Sequence, residues 1–339
     1  MKRLIPIFVL FILFSHFISK TVSAKERSAE ITITFDLKAP EDAKEVRLWV
    51  PYPVSDKNQE IFDVHVNGNP SYWGIYTESR YRNHILYSEW KSPAKERKLT
   101  LTFKVKRKEV ITKDFPQKET TLSQDEFKDY LGSAKNIPLD GKVKEHALKI
   151  TKDKKTILEK ARAIYDWIVD NMYRDPNVKG CGFGEVERLL ETMGGKCADI
   201  HSVFVALARA SGIPAREIFG IRIPKGKEGD MTKAQHCWAE FYLPGYGWVV
   251  VDPADVRKAI LEQKITLEEA KPLREYFFGA VDESRIAFGT GRDIILNPPQ
   301  ASEPLNYFMY PYAEADGKPL NEDLYGFNIG YKITFKEIE

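Results

Sequence analysis

The chemistry that this sequence can support centres on a cysteine at the start of a predicted helix. Gly194 and Gly195 interrupt one helical pattern, Cys197 follows, and apolar residues then recur at helical spacing as far as Leu207 and Ala208. Only a thiolate is a good nucleophile, and a free thiol with a pKa of about 8.5 is mostly protonated at neutral pH. A helix N-terminus and a neighbouring imidazolium both lower that pKa. The position of Cys197 therefore predicts a nucleophile if a histidine reaches it.

The best candidate for that histidine is His236, in a predicted strand over residues 235–243. The next predicted strand, residues 248–252, ends at Asp252. Because a hairpin joins the two strands, the start of the first lies near the end of the second. A carboxylate beside the imidazole would fix its tautomer and favour its protonated form. We therefore predict Cys197 as nucleophile, His236 as its base and Asp252 as the residue that orients the histidine.

Simpler interpretations of these residues stay open. A buried cysteine is more often an inert small apolar residue than a nucleophile, and a single histidine in a strand is usually structural. His201, four residues after Cys197, is a rival base, although a helix neighbour seldom reaches the nucleophile in the required orientation. Asp255 is a less suitable partner for the histidine because it lies beyond Pro253. Asp199 either stabilises the helix N-terminus, which we favour, or lines the site.

Acyl transfer also needs donors for the negative charge that develops on the carbonyl oxygen. The backbone N–H of Cys197 at the helix start is one predicted donor. The sequence does not identify a second donor, and Tyr173 and Trp238 are weak candidates.

The chain has three cysteines, so at least one thiol is unpaired within a single molecule. Cys181 and Cys237 could form a disulfide that leaves Cys197 free, or both could be reduced. Cys237 is expected to face away from His236, because adjacent strand residues point to opposite faces. A zinc site formed by Cys197, His236 and Cys237 is disfavoured because paired ligand spacings are absent. No acidic loop resembles a calcium site, so the sequence predicts neither a metal nor another cofactor.

The segments around Cys197 predict an α+β domain. A helix beginning after Thr156 carries apolar residues on one face, and Glu159 completes a capping-box pattern. Three strands follow the cysteine helix, over residues 216–223, 235–243 and 248–252, with a turn at 244–247. A helical stretch is then predicted over 256–277 and strands over 307–312 and 325–338. Helices followed by strands favour α+β rather than alternating βαβ units.

The N-terminal part of the chain is predicted to be a small antiparallel β domain, sandwich-like, over residues 25–110. Residues 31–36, 46–50 and 99–105 alternate apolar and polar side chains, and Asn67-Gly68 is typical of a hairpin turn. We favour a structural role over a binding role for this domain. Residues 111–140 are predicted to be a linker with one short helix, and residues 281–339 a C-terminal β extension to which we assign no chemistry.

The first 24 residues have the pattern of a secretory signal peptide. Lys2 and Arg3 precede an apolar run over 4–18, and small residues at 22–24 suit cleavage. The alternative is an uncleaved membrane anchor, but the run is shorter than the roughly 20 residues that span a bilayer. The sequence therefore predicts an exported protein, periplasmic or extracellular, with membrane contact only through this segment if it is uncleaved.

The charge of the chain argues against nucleic-acid binding. The 51 basic residues nearly balance the 49 acidic ones, and three of the basic residues lie in the predicted signal. No long basic stripe occurs elsewhere, so a nucleic-acid surface is excluded as the main function.

Three separated motifs, in this order, resemble the core of the transglutaminase-like superfamily. The resemblance covers roughly residues 140–256. The motifs are Tyr165-Asp166-Trp167-Ile168-Val169 in the lead-in helix, Gly194-Gly195-Lys196-Cys197-Ala198-Asp199 continuing to Gly212-Ile213-Pro214-Ala215-Arg216, and His236-Cys237-Trp238-Ala239-Glu240 followed by Gly247-Trp248 and Asp252-Pro253. The resemblance implies a papain-like α+β core over residues 141–280 and a catalytic triad of Cys197, His236 and Asp252.

The resulting expectation is a cysteine enzyme that attacks an amide carbonyl of a protein or peptide substrate and forms a thioester. With water as acceptor it is a peptidase or amidase, and with a lysine amine as acceptor it cross-links. We lean towards hydrolysis. The alternative is a non-enzymatic binding or scaffold protein that retains the fold. The sequence leaves the substrate and the oligomeric state open.

Overall fold

The computed structural model describes residues 24–91, 93–116 and 118–339. Apart from Ala24, the predicted signal segment lies outside these residues. Within the described ranges, no helix combines the length and the apolar character needed to cross a membrane.

The described residues form mixed helices and strands, which confirms the α+β class. The helices are α1 Lys128–Leu131, α2 Gly141–Ile150, α3 Ile157–Asn171, α4 Val186–Thr192, α5 Cys197–Ala210, α6 Pro253–Gln263 and α7 Lys271–Tyr276, with a 3₁₀ turn at Phe327–Ile329. The strands are β1 Glu26–Asp36, β2 Glu45–Pro51, β3 Gln59–Gly68, β4 Tyr72–Thr77, β5 His84–Lys91, β6 Lys98–Lys108, β7 Val110–Ile111, β8 Tyr173–Arg174, β9 Gly194–Gly195, β10 Ala215–Arg222, β11 Glu228–Asp230, β12 Gln235–Leu243, β13 Gly247–Val251, β14 Ala280–Val281, β15 Arg285–Thr290, β16 Tyr312–Ala315, β17 Lys318–Pro319 and β18 Tyr331–Glu337.

The sheet that carries the predicted site residues has the order β13-β12-β10-β15 and is antiparallel. Helix α5 packs on one face of this sheet and is surrounded by other helices, so that all its residues are buried. A helix that is buried all round is mostly apolar, which agrees with the run of valine, alanine and phenylalanine after the cysteine. The cysteine helix is therefore the centre of the core.

Two five-stranded antiparallel sheets accompany this core, with the orders β11-β18-β1-β6-β3 and β17-β16-β2-β5-β4. The last strand, β18, lies between β11 and β1 along the register Ala29↔Glu337 to Phe35↔Tyr331. Strand β16 likewise pairs with β2. Strands from the C-terminal segment thus complete both sheets of the N-terminal segment. The domain boundaries drawn from the sequence stay a prediction.

Several local predictions are confirmed. Thr156 caps α3 by accepting a hydrogen bond from the N–H of Glu159, whose carboxylate accepts from the N–H of Thr156 in return. The turn over residues 244–247 joins β12 to β13, and the only helix of the predicted linker in the described residues is α1.

Three other local predictions are wrong. Asn67-Gly68 is the end of β3 and pairs with β6, and the next strand, β4, lies in a different sheet, because a local turn signal does not decide which strand is the partner. Residues 307–311 are irregular, and Pro311 lacks the N–H that a ladder would need. The helical stretch over 256–277 is two helices, since Lys264 takes a left-handed conformation that ends α6.

The inserted position of β18 predicts that its apolar face is essential to stability. Ile333 is 2% exposed and packs in the core of the N-terminal sheets. Replacing Ile333 by Ala should lower the free energy of unfolding by about 2–5 kcal/mol, because large-to-small changes in a core lose burial and leave a cavity. Urea denaturation measures this loss. Lys336→Ala, at an exposed position of the same strand, should cost less than about 0.5 kcal/mol, and equal losses in the two variants would contradict an integral role of β18.

Candidate active site

Cys197 is the first residue of α5 and is 3% exposed. The carboxylate of Asp199 accepts hydrogen bonds from the N–H groups of Lys196 (3.0 Å) and Gly184 (2.8 Å). Asp199 therefore stabilises the helix N-terminus and fixes the preceding loop, in agreement with the structural role favoured for it. A Cβ on Gly182, which has a positive φ, would overlap this carboxylate.

His236 and Asp252 lie side by side at one end of the sheet. Nε2 of His236 is 2.9 Å from Oδ2 of Asp252. Asp252 follows the last residue of β13 and caps α6, where its Oδ1 accepts the N–H of Asp255 at 2.8 Å. The cap holds the carboxylate in place, so that it can orient the imidazole.

The rival base, His201, contacts the same carboxylate from the other side. Its Nε2 is 3.1 Å from Oδ1 of Asp252, and its Nδ1 is 3.4 Å from Sγ of Cys237. Among the described residues, no hydrogen bond joins His201 to Cys197. Both histidines therefore share Asp252, and His201 is tied to Cys237 instead of the predicted nucleophile.

A fully buried arginine, Arg285, neutralises the carboxylates of this cluster. Its guanidinium pairs with Asp252, with Asp255 at 2.8 Å and with Asp282 at 3.0 Å, and its Nη1 is 3.1 Å from Nε2 of His236. Burial raises the pKa of Asp252, but the charge of Arg285 followed by those of the histidines holds it well below its usual range. Asp252 is therefore a carboxylate at neutral pH.

The thiol of Cys197 lies among groups that stabilise its ionised form. The neighbouring thiols of Cys181 and Cys237, together with the imidazole of His236, outweigh burial and lower the pKa of Cys197 well below that of a free thiol. For Cys181 and Cys237 the pKa is raised, through the contact with Cys197 and through burial. Of the three cysteines, Cys197 is the one whose surroundings favour the thiolate.

The surroundings of His236 favour its protonated form. Burial and the charge of Arg222 lower its pKa, but Asp255 and Asp252 outweigh them and raise it above the ordinary value. No hydrogen bond of ordinary length joins Cys197 to His236 in the described residues. Catalytic hydrogen bonds are often long before substrate binds, so the missing bond is compatible with the predicted roles of the two residues.

All three cysteines are free thiols, which is the reduced alternative that the sequence left open. Cys237 lies in the core beneath α5 together with Cys197. The Sγ of Cys181 donates to the carbonyl of Gln235 at 3.1 Å, and the carbonyl of Cys181 accepts the N–H of Ala198 at 2.9 Å. This last bond ties the Cys181 loop to the start of α5.

The donors proposed for the oxyanion have different surroundings. The N–H of Cys197 has no acceptor among the described residues, so it is available to a substrate oxygen. Tyr173 packs its ring over Gly194, three residues before the cysteine. Trp238 lies on the sheet face opposite to α5, in a cluster with Ile218 and Val250, and this position does not support a role for it at Cys197.

Two parts of the site were missed in the sequence, Arg285 and a set of tyrosines from the C-terminal segment. Oη of Tyr310 accepts the N–H of Cys181 at 3.1 Å, and Oη of Tyr307 donates to the carbonyl of Gly182 at 2.6 Å. The sequence contains this aromatic-rich stretch, but no pattern in the neighbouring residues indicates that it contacts the loop beside Cys197. The tail therefore covers the loop beside the predicted nucleophile.

The ligand atoms of His236, Asp252 and Asp255 lie within 4.8 Å of one another, close enough to hold a metal ion. The guanidinium of Arg285 already pairs with both carboxylates. A cation at this place would have to displace that positive charge, so the residues do not fit a metal.

The comparisons with known proteins identify the family. The sequence profile of the transglutaminase-like superfamily matches residues 144–253, which include the three predicted site residues. The chain is also 39% identical over 321 residues to an uncharacterized protein of Haemophilus influenzae, covering 86% of this chain and 87% of that protein. The chain belongs to the transglutaminase-like superfamily.

Two further similarities agree with that assignment. Over 129 residues the chain is 31% identical to the uncharacterized protein YebA of Bacillus subtilis, a match that spans 34% of this chain and 18% of YebA. A crystal structure from Cytophaga hutchinsonii, described as a candidate cysteine protease, has a TM-score of 0.56 at 16% identity and covers 92% of this chain and 98% of its own. At that identity the likeness shows a shared fold.

The charge balance at Asp252 predicts a large effect of removing Arg285. Arg285→Met would leave buried carboxylates without their counter-charge, and the free energy of unfolding should fall by about 3–5 kcal/mol at pH 7. The pKa of Asp252 is lower in the folded protein than in the unfolded chain. The stability that its ionised form contributes is therefore fully present at pH values above the pKa of the unfolded chain. It is lost as the pH falls through the pKa of the folded protein. The difference between wild type and variant should therefore shrink in acid.

Urea denaturation at several pH values measures this effect. Arg188→Met is the matched control, because Arg188 forms an exposed pair with Glu185, and such pairs contribute about 0–1 kcal/mol. If Arg285→Met were no more destabilising than Arg188→Met, the compensating role of Arg285 would be wrong.

Proposed function

We propose that this protein is an exported cysteine acyl-transfer enzyme that acts on amide or peptide bonds, with Cys197 as nucleophile, His236 as base and Asp252 as the orienting carboxylate. The observation that carries the proposal is the electrostatic state of one buried cluster. There the pKa of the thiol is lowered, the pKa of the neighbouring imidazole is raised, and the imidazole is 2.9 Å from a carboxylate. Perturbed groups of this kind concentrate at catalytic sites.

The proposed reaction begins with the Cys197 thiolate. Its sulfur bonds to the carbonyl carbon, and the negative charge that develops on the oxygen is stabilised by the N–H of Cys197 at the start of α5. His236 donates its proton to the departing amine as the C–N bond breaks, which leaves a thioester. The neutral imidazole then takes a proton from the acceptor, whose oxygen or nitrogen displaces the sulfur and restores the thiolate.

The substrate is proposed to be a protein or peptide, and water the preferred acceptor. Cys197 is almost fully buried beside the Cys181 loop, and Tyr310 and Tyr325 pack over that loop. A carbonyl would reach the sulfur only after this cover shifts, which suits an extended peptide better than a folded surface. Water needs no second binding groove, and this favours hydrolysis over cross-linking.

Export is proposed from the N-terminal pattern alone. The basic start, the apolar run and the small residues at 22–24 suit a cleaved signal peptide.

The thiolate–imidazolium pair predicts an unusual pH profile for alkylation of Cys197. In the wild type, the rate of iodoacetamide labelling should already be on its plateau below neutral pH. In His236→Ala it should rise roughly tenfold per pH unit towards the ordinary thiol range, because the positive partner is lost. Peptide mass spectrometry reports each cysteine separately, and rates that rise in proportion to the iodoacetamide concentration report the thiolate fraction rather than exposure of the buried thiol.

His146→Ala is the control for this experiment, since His146 is a histidine of α2 whose ring contacts Trp167. Its profile should match that of the wild type. An ordinary thiol profile for Cys197 in the wild type would overturn the catalytic proposal and favour a binding protein that retains the fold.

The preference for water predicts the products. Glutamine-containing peptides incubated with the enzyme should give hydrolysis products even when a primary amine is present, and Cys197→Ala should give none. Mass spectrometry distinguishes a new carboxylate from a new amide. Amide-linked products without hydrolysis would show that the acceptor is an amine.

A further inference from the structure

A cavity of about 360 Å³ lies on the face of the β13-β12-β10-β15 sheet opposite to α5. One wall is this sheet, through Ile218, Trp238 and Val250, and the facing wall is formed by β3, β6 and the chain before β3. Cys197 and His236 do not line it. The volume falls within the roughly 300–1,000 Å³ of small-molecule sites.

The cavity contains a buried arginine that lacks a partner. Arg107 is 2% exposed, and among the described residues its side chain forms neither an ion pair nor a hydrogen bond. Its Nε is buried without an acceptor. Burial lowers the pKa of the guanidinium. A buried charge without a partner is costly, so this position calls for an explanation.

The neighbours of Arg107 in the same sheet show what an ordinary partner would be. Arg107 lies between Arg27 on β1 and Gln59 on β3. Arg27 donates to the carbonyls of Ile223 and Pro224. The amide of Gln59 bonds to the backbone of β15 in both directions. Arg107 alone of the three reaches no group across the gap, because its side chain ends in the cavity.

The other charged residues around the cavity do not neutralise the charge of Arg107. Arg216 is paired with Glu240 at 2.7 Å and stacks on Trp248. Of the carboxylates, that of Asp56 has the largest effect on the pKa of Arg107. Asp56 nevertheless accepts its hydrogen bonds from the N–H groups of Asn58 and Gln59 in its own loop. Lys57 and Arg82 also line the cavity. Its lining is therefore positive overall.

We propose that this cavity binds a small organic anion, with a carboxylate or phosphate group on Arg107 and an apolar body against Trp238, Ile218 and Val250. A guanidinium holds either anion through paired N–H donors. Apolar walls with one well-placed charged group are typical of small-molecule sites. The site is separate from Cys197, so its occupation does not require the proposed catalysis.

Titration calorimetry on the full chain tests this site with three probes of similar shape, benzoate, phenyl phosphate and benzyl alcohol, and with inorganic phosphate. At least one of the two aromatic anions should bind, and benzyl alcohol should bind at least tenfold more weakly. The better of benzoate and phenyl phosphate shows which anion the site takes. Binding of inorganic phosphate as tight as that of phenyl phosphate would contradict the role of the apolar walls.

Two variants should change the affinity in opposite directions. Arg107→Met should lower the affinity for the anion at least tenfold. Asp56→Asn, which removes a nearby negative charge, should raise that affinity. Arg188→Met is the control for loss of one positive charge elsewhere on the chain. Should Arg107→Met fail to fold, Ala287→Leu narrows the cavity while keeping the charge and should also abolish binding. Equal affinities in the wild type and in these variants, or no anion binding by the wild type, would overturn the proposal.

Discussion

The candidate site depends on one buried carboxylate, that of Asp252. Four groups converge on it: the imidazoles of His236 and His201, the guanidinium of Arg285 and the backbone N–H of Asp255. A carboxylate without such partners would take up a proton in a buried place. Because it stays ionised here, it can raise the pKa of His236 and so favour the charge that stabilises a thiolate at Cys197.

The same arrangement explains why the site is built from distant parts of the chain. The cysteine comes from a helix, the histidine and the aspartate from a hairpin, and the arginine from β15. Each side chain is set by an element whose own geometry is fixed, such as the capped start of α6 for Asp252. Side chains on packed helices and strands are positioned more precisely than side chains on free loops. This suits a site in which buried positive and negative groups must lie within contact distance of one another.

The sequence predicted correctly those elements that are determined by residues close together in the chain. Glycines before Cys197, a capping pattern at Thr156 and alternation in the strands are all read from neighbouring residues, and the structure has the corresponding elements. Asn67-Gly68 shows the limit of such signals, because a turn-forming pair does not state which strand its neighbour will meet. Arg285 was missed for a similar reason: two of the three carboxylates that it pairs with, those of Asp252 and Asp255, are brought to it by folding from about 30 positions away. The tyrosines over the Cys181 loop could not be assigned because their contacts also span long sequence separations.

The placement of β18 has a consequence for how the chain reaches its native state. Strand β1 is the first of the described chain, and one of its two neighbours is formed by the last residues, with Ala29 opposite Glu337. Closing so long a loop costs conformational entropy before the favourable contacts between the two strands form. A fold with many contacts between distant parts of the chain therefore folds slowly. A chain emerging from a ribosome with its N-terminus first would therefore hold β1 with one open edge until β18 had been made. An open strand edge is a template for association, so the interval before β18 emerges is when this protein would most need a chaperone.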